Sequence, residues 1–294
     1  MTSTVTSHPV KPSAGRPSRL LAYAGFVKLE HSIFSLPLIL AGALLHLHRW
    51  PDARLMSLII LAAVAGRVVA MGLNRIIDAK IDAGNPRTRQ RELPRGAMQR
   101  REAWLIVLIA GAVYAAAAGA IAPVCLQLSP IPVLLFVIYP YLKRFTWLAH
   151  VGLGLAWSMA PLGGWLAAAR SLDHLKDAVW LWLFSVLWVA GFDIIYATMD
   201  EAFDRQAGLH SLPVALGKAP ALRVAAALHA LAWLMLAAMW GLQLHSDAAL
   251  WWLAAIAALF VWQHALAPRR PDIAFFQINA LLGFLVLGLV ATGI

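Results

Sequence analysis

Apolar residues in this chain come in long blocks rather than in alternation. Runs such as "SLIILAAVAGRVVAMGL" and "LLGFLVLGLVATGI" carry almost no charge and are separated by short stretches rich in Arg, Asp, Pro and Gly. A block of roughly twenty residues is long enough to cross a bilayer as a helix. Helix is the form that lipid permits, because it offers backbone N–H and C=O groups no partners. The pattern predicts nine helices, near 20–46, 55–79, 102–122, 130–142, 149–169, 178–198, 219–242, 249–267 and 273–293. The fourth is short for a span and carries Pro130, Pro132 and Pro140. The connections have no room for a soluble domain, so the expected fold class is all-α, a polytopic membrane protein with nine transmembrane helices. Residues 1–19 are polar and rich in Ser, Thr and Pro, which predicts a disordered tail ahead of one transmembrane unit over 20–294. That tail lacks the apolar core and small-residue cleavage site of a signal peptide.

Composition agrees: 61% of the 294 residues are hydrophobic and 13% are charged, against about 25% charged in a soluble domain. A net charge of +10 in a soluble chain would raise nucleic acid as a partner. Here sidedness accounts for it, and no nucleic-acid partner is expected. With the N-terminus cytoplasmic, the tail and the loops after spans two, four, six and eight hold 17 of the 24 Lys and Arg residues, whereas the opposite face holds Arg49, Arg54, Arg170 and Lys176. That bias sets the N-terminus inside and the C-terminus outside. The single cysteine, Cys125, sits in an apolar run and reads as a small buried filler.

Acid is scarce, and its distribution is the informative feature. Of 14 acidic residues, Asp78, Asp82, Asp193, Asp200, Glu201 and Asp204 fall in two short segments at the cytoplasmic ends of spans two and six. Asn74, Asp78 and Asp82 are spaced by four, so on a helix they spread over about 80° of one face. Asp193, Tyr196, Asp200 and Asp204 make a similar stripe of about 80°, while Glu201 points elsewhere. One such stripe is readily an ordinary solvated helix end. Two on the same membrane face repel each other unless a cation lies between them. Hard oxygen donors of this kind suit Mg²⁺, which takes its remaining ligands from water and substrate phosphates. The expected cofactor is therefore Mg²⁺, in a carboxylate–Mg²⁺–diphosphate site.

Cations gather beside these stripes. Arg67 lies seven residues before Asn74, on the same face and two turns deeper, where an arginine is costly and is a functional candidate or a partner for an aspartate. Lys28 is a second intramembrane cation, for function or for snorkelling to the interface. The loop "NPRTRQRELPRG", with Arg87 and Arg91, can reach over the site and donate to diphosphate oxygens. Of Lys143 and Arg144, one is a candidate to bind an acidic substrate group, and both serve sidedness. His150 is a candidate base or a structural histidine. There is no phosphate loop, nucleophile elbow or pair of cysteines.

Taken in order, these motifs resemble the UbiA superfamily of intramembrane prenyltransferases, close to its 4-hydroxybenzoate branch. Asn74-x-x-x-Asp78-x-x-x-Asp82, with Arg67 ahead of it, is similar to the family's first Asp-rich motif. Arg87, Thr88, Arg91, Leu93, Pro94 and Gly96 resemble the loop that follows. Tyr139-Pro140-Tyr141-x-Lys143-Arg144-x-Thr146 resembles a segment of the hydroxybenzoate branch. Asp193-x-x-Tyr196-x-x-x-Asp200-x-x-x-Asp204, followed by Gly208 and Ser211, is similar to the second Asp-rich motif.

The resemblance implies helices around a central cavity, in a bacterial inner-membrane enzyme with a cytoplasmic active site. It implies Mg²⁺-dependent transfer of a polyprenyl group from its diphosphate to an aromatic acid, 4-hydroxybenzoate or, as the alternative, a dihydroxynaphthoate of menaquinone synthesis. Site roles follow from it. Asn74, Asp78, Asp82, Asp200 and Asp204 would hold metal. Lys28, Arg67, Arg87, Arg91 and Lys143 would bind diphosphate. Tyr139, Arg144, Asp193, Tyr196 and Ser211 would meet the acceptor, and Asp78, Asp82, Asp193 and Asp200 would be indispensable to catalysis. Its partners would be these substrates and membrane lipid, with no obligate protein partner. One position departs from the family pattern: Arg75 stands where an aspartate is usual, about 100° around the helix from Asn74. A transporter is the non-enzyme alternative, disfavoured because the ionisable groups crowd one face.

Overall fold

The computed structural model describes residues 19–27 and 35–294, and Lys28 lies outside the described residues. Every regular element among them is helical: α1 (Arg19–Val27), α2 (Leu36–Leu47), α3 (Ala53–Gly84), α4 (Arg100–Ile121), α5 (Pro123–Leu128), α6 (Pro130–Leu142), α7 (Ala149–Ala169), α8 (Val179–Ala197), α9 (Glu201–Gln206), α10 (Leu212–Leu216), α11 (Lys218–Met239), α12 (Ala248–Leu266) and α13 (Pro271–Gly293). Eight helical stretches are long and apolar enough to cross a membrane, with α5 and α6 together making one of them, Pro123–Leu142. The expected ninth, over 20–46, is represented by α1 and the shorter apolar α2, on either side of residues outside the description. Pro37 sits in the first turn of α2, where its missing N–H costs nothing. Pro123 and Pro130 likewise open α5 and α6, so the fourth expected span is longer than read and broken at Ser129.

The longest element is α3, with 32 residues, or about 48 Å at 1.5 Å per residue. Hydrocarbon is about 30 Å thick, so the final turns of α3 reach the polar boundary. Asp52 starts this helix by accepting from the Leu55 N–H at 2.8 Å, an N-cap of the favoured kind. α3 packs between α4 and α6; α2 lies on α7, α7 on α8, α8 on α11, and α12 on α13, which returns to α2. A Cβ on Gly42 would stand 2.0 Å from the Pro161 carbonyl oxygen, and one on Gly164 would stand 1.8 Å from that of Ile39. Glycine is thus required where α2 crosses α7, the small-residue contact by which membrane helices approach closely.

Phe184, Trp188, Leu236, Met239, Leu282 and Val286 fill the interface of α8, α11 and α13. A polar network threads it. The Trp188 indole donates to Asn279 Oδ1 at 2.8 Å, and Gln263 Nε2 donates to Asn279 Oδ1 at 3.2 Å and to the Ala274 carbonyl at 2.7 Å. Asn279 Nδ2 donates to the Phe275 carbonyl at 2.6 Å. His229 Nε2 faces the Trp188 carbonyl at 3.1 Å and must donate to it, so its Nδ1 accepts from His264 Nε2 at 2.9 Å.

Candidate active site

The opposite half of the bundle encloses a cavity of about 1160 Å³. Its lining runs from Ile39, Ile59 and Cys125 at one end to Asp82 and Asp200 at the other. Ile59 and Asp82 are 23 residues apart on α3, so the cavity extends for about 35 Å along the bundle. Its deep part is apolar, and its mouth is where the two acidic stripes meet.

Helical spacing brings the stripes in as expected. Arg67, Asn74, Asp78 and Asp82 line the cavity from α3, and Asp193, Tyr196, Asp200 and Asp204 line it from α8 and the start of α9. Tyr139, Lys143 and Ser211 also line it. Arg144 does not: Lys143 caps the end of α6, and Arg144 follows it in the turn beyond. The Arg144 guanidinium lies over the Tyr141 ring at 4.7 Å and donates to the Ile77 carbonyl at 2.9 Å, with Asp78 Oδ1 3.6 Å away.

Each stripe is met by cations. Lys143 Nζ donates to Asp78 Oδ2 at 2.6 Å, and Asn74 Nδ2 reaches the same oxygen at 3.2 Å. Arg91 Nη1 donates to Asp82 Oδ2 at 2.7 Å. The Arg87 guanidinium grips Asp200 through Nε, at 2.9 Å, and Nη2, and its Nη1 donates to the Tyr196 hydroxyl. It also lies over the Tyr196 ring at 4.4 Å. Asn85 Nδ2 adds a bond to Asp200 Oδ1 at 2.9 Å, while Asn85 Oδ1 accepts from the Arg87 N–H at 2.9 Å. That local turn aims Arg87 back at α8. The loop after α3 therefore closes over the cavity mouth and joins the two acidic stripes. Asn85 was not singled out from sequence, although an Asn just before a Pro marks this kind of turn.

Electrostatics at the mouth are uneven. Burial pushes the Asp200 carboxyl up, but the hydrogen bonds from Arg87 and Asn85 outweigh it and hold it below its ordinary value. Burial alone would lower the Arg87 guanidinium, and its bonds to Asp200 raise it instead. Asp204 has no such partner among the described residues: burial first, and then the charge of Asp200, push it up to about 6. Asp78 Oδ1 is buried without a hydrogen bond. That oxygen has the Arg144 guanidinium 3.6 Å away, so among the described residues Asp204 is the carboxylate of the two stripes with no cation at ion-pair distance, apart from Asp193, which His150 holds. Among the described residues, no three His, Cys, Asp or Glu side chains form a ready-made metal cage. The donor set fits instead an ion held by one or two carboxylates, with water and substrate phosphate as its other ligands. The residues available for that are Asn74, Asp78, Asp82, Asp200 and Asp204.

Deeper in, the Arg67 guanidinium stacks over Trp157 at 4.8 Å, and its Nε has no hydrogen-bond partner among the described residues. Arg75 and its partner Glu92 also line the cavity. Arg75 is buried, forms an ion pair with Glu92 and lies 5.8 Å from the Phe26 ring. It fastens the loop to α3 rather than adding an acid to the first stripe. Both nitrogens of His150 are engaged: Nε2 accepts from the Leu212 N–H at 3.1 Å, so Nδ1 carries the proton and donates to Asp193 Oδ2 at 2.6 Å. That geometry makes His150 a holder of Asp193 rather than a free base.

Known proteins are similar to this chain in sequence and fold. Residues 35–291 match the model of the UbiA prenyltransferase family. A 4-hydroxybenzoate octaprenyltransferase of Vibrio atlanticus is 33% identical over 230 residues, covering 76% of this chain and 78% of the relative. One of the same name from Vibrio cholerae is 30% identical over 260 residues, covering 87% and 90%. A UbiA homolog from Aeropyrum pernix superposes with a TM-score of 0.83 at 34% identity, over 89% of this chain and 97% of that one. A homolog from Archaeoglobus fulgidus, solved bound to GPP and Mg²⁺, has a TM-score of 0.71 at 19% identity over 92% and 99%, a likeness of fold. An integral membrane chain with these motifs, this fold and these relatives belongs to the UbiA prenyltransferase family.

Proposed function

We propose that this protein is a prenyltransferase that moves a polyprenyl group from its diphosphate onto an aromatic acid, 4-hydroxybenzoate, with Mg²⁺ as its cofactor. The observation that carries this reading is the mouth itself: two facing acidic stripes, bridged by a cationic loop, above an apolar cavity about as long as a bilayer is thick. The names of the curated relatives support the acceptor. The excess of Lys and Arg on the loop side supports a cytoplasmic mouth in a bacterial inner membrane.

Asn74, Asp78 and Asp82 on one side, and Asp200 and Asp204 on the other, would hold Mg²⁺. When bound, Mg²⁺ neutralises the diphosphate and makes it a better leaving group. Arg67, Lys143, Arg87 and Arg91 supply fixed positive charge where the leaving oxygens gather negative charge. For Arg87, Arg91 and Lys143, taking up that role means exchanging a carboxylate for the diphosphate. The carbon–oxygen bond of the allylic diphosphate breaks, the ring carbon of the acceptor forms the new carbon–carbon bond, and the ring loses a proton. Asp193, held at Oδ2 by His150, keeps Oδ1 as the acceptor for that proton. Tyr139, Tyr196 and Ser211 line the space beside it, where the aromatic acid would lie. The loop shields the reacting carbon from water, which would otherwise intercept the cation. Arg144, which lines the neighbouring pocket and not this cavity, is left out of the acceptor site.

Purified protein offered geranyl diphosphate and Mg²⁺ with 4-hydroxybenzoate, dihydroxynaphthoate and homogentisate in turn tests the proposal. Prenylated 4-hydroxybenzoate as the dominant product supports it. A naphthoate product would move the acceptor, and no aromatic product would end the reading.

A further inference from the structure

A second pocket, of about 370 Å³, opens at the same end of the bundle on the other side of α3. Helical periodicity builds it. Leu73, Ile76, Ile77 and Lys80 form an i, i+3, i+4, i+7 stripe about 150° around α3 from the cavity face, facing Val137 and Tyr141 of α6 and Arg144 in the turn after it. Arg100 and Trp104 complete the pocket from the first turns of α4. The floor is aliphatic, two amphipathic rings stand at the wall, and three cations stand at the rim.

The rim is set for an anion. Arg100 Nη2 donates to the Ile76 carbonyl at 3.0 Å, and Arg144 Nη2 donates to that of Ile77 at 2.9 Å. Each guanidinium is thereby fixed on the backbone of α3 while most of its five N–H donors are left over. Arg144 Nε is buried with no partner among the described residues. Among the described residues Arg144 has one carboxylate at ion-pair distance, Asp78 at 3.6 Å, and Lys143 already holds the other oxygen of that group from the cavity side. Below the rim, α4 and α6 leave Leu105, Leu108, Leu134 and Ile138 exposed, as lipid-facing side chains are. A ligand here meets cations and aromatic rings at the membrane boundary, and hydrocarbon directly beneath them.

We propose that this pocket binds the phosphate of an anionic phospholipid, with its acyl chains lying along the exposed faces of α4 and α6. Basic pockets between membrane helices on the positive side select such headgroups. Neither the pocket nor its ligand depends on the prenyl-transfer reading.

Native mass spectrometry of the full chain released from mixed bilayers of phosphatidylcholine and phosphatidylglycerol tests it. The chain should retain phosphatidylglycerol in preference to phosphatidylcholine. Lys80→Gln should lower that retention about fivefold, and adding Arg100→Gln should lower it about fivefold again. Equal retention of the two lipids overturns the proposal, and so does wild-type retention in a folded double variant. Should the double variant fail to fold, unchanged retention in Lys80→Gln overturns it. Displacement of the lipid by soluble glycerol phosphate at similar concentration would make this a soluble-anion site and also end the proposal.

Discussion

The Trp188–Asn279–Gln263 network and the Asp78–Asp200 mouth both place polar side chains inside a bundle built for lipid, but they are satisfied in opposite ways. In the network every partner is neutral, and the tautomer of His229 follows from its neighbours. The indole, the Asn amide and both imidazoles have partners, with Gln263 Oε1 the one buried atom left over. Hydrogen bonds of this kind act as glue between membrane helices. The mouth is charged, and its pairs are lopsided: Lys143, Arg144, Arg91 and Arg87 sit on Asp78, Asp82 and Asp200, whereas Asp204 has no cation at ion-pair distance among the described residues and is pushed up to about 6. Burying charge is costly unless a partner compensates it. A cluster that leaves the compensation incomplete is arranged around something that arrives later.

The sharpest way to break this contrast is to remove charge from the mouth. Asp78→Asn and Asp200→Asn should each lower prenyl-transfer kcat by roughly a thousandfold, with helical circular dichroism unchanged. Arg67→Ala should raise the KM for the diphosphate substrate by roughly a hundredfold through loss of a charged contact, leaving the KM for the acceptor near its original value. His150→Ala should lower kcat by about tenfold to a hundredfold. His150→Asn, which keeps a donor where Nδ1–H stood, should recover much of that loss. Failure of Asn to rescue would show that His150 does more than hold Asp193.

Acidity sharpens the comparison from another side. A carboxyl raised in the folded state opposes folding above its ordinary pKa, and the penalty is fully present once pH passes the raised value. A bound cation offsets that penalty. Mg²⁺ should therefore raise the melting temperature more above about pH 6 than below it, where a proton occupies Asp204 and competes with the metal. Equal stabilisation on both sides would remove Asp204 from the metal set. The smallest effect belongs to the network: Trp188→Phe should cost about 0.6 kcal/mol of stability in a denaturation assay and leave turnover unchanged.

Much of this was legible along the chain. Apolar block length marked the crossings, and four-residue spacing set both acidic stripes on the cavity. The sequence did not separate Lys143, which lines the cavity, from Arg144, which does not, because both lie at the turn that ends α6. Contacts between residues distant in sequence were not legible. Glu92 neutralises Arg75 from 17 residues away, and Arg87 reaches Asp200 across 113. Periodicity speaks to which face a residue occupies on its own helix, not to which loop folds back upon it. The Trp188–Asn279 bond spans 91 residues, and nothing in an apolar run marks an Asn as one end of such a pair. Proline position decided the fourth span, which reading by hydropathy alone made shorter than Pro123–Leu142.

The central claim is that the two stripes jointly hold a divalent cation for prenyl transfer. Its most direct test is turnover of a polyprenyl diphosphate with 4-hydroxybenzoate, titrated with Mg²⁺, in the wild type and in folded Asp82→Asn and Asp204→Asn variants. The account predicts no product in chelator, saturable activation by Mg²⁺, and a rise in the Mg²⁺ concentration for half-activation when either stripe is altered. Turnover in chelator, or an unchanged Mg²⁺ requirement in both variants, would contradict it.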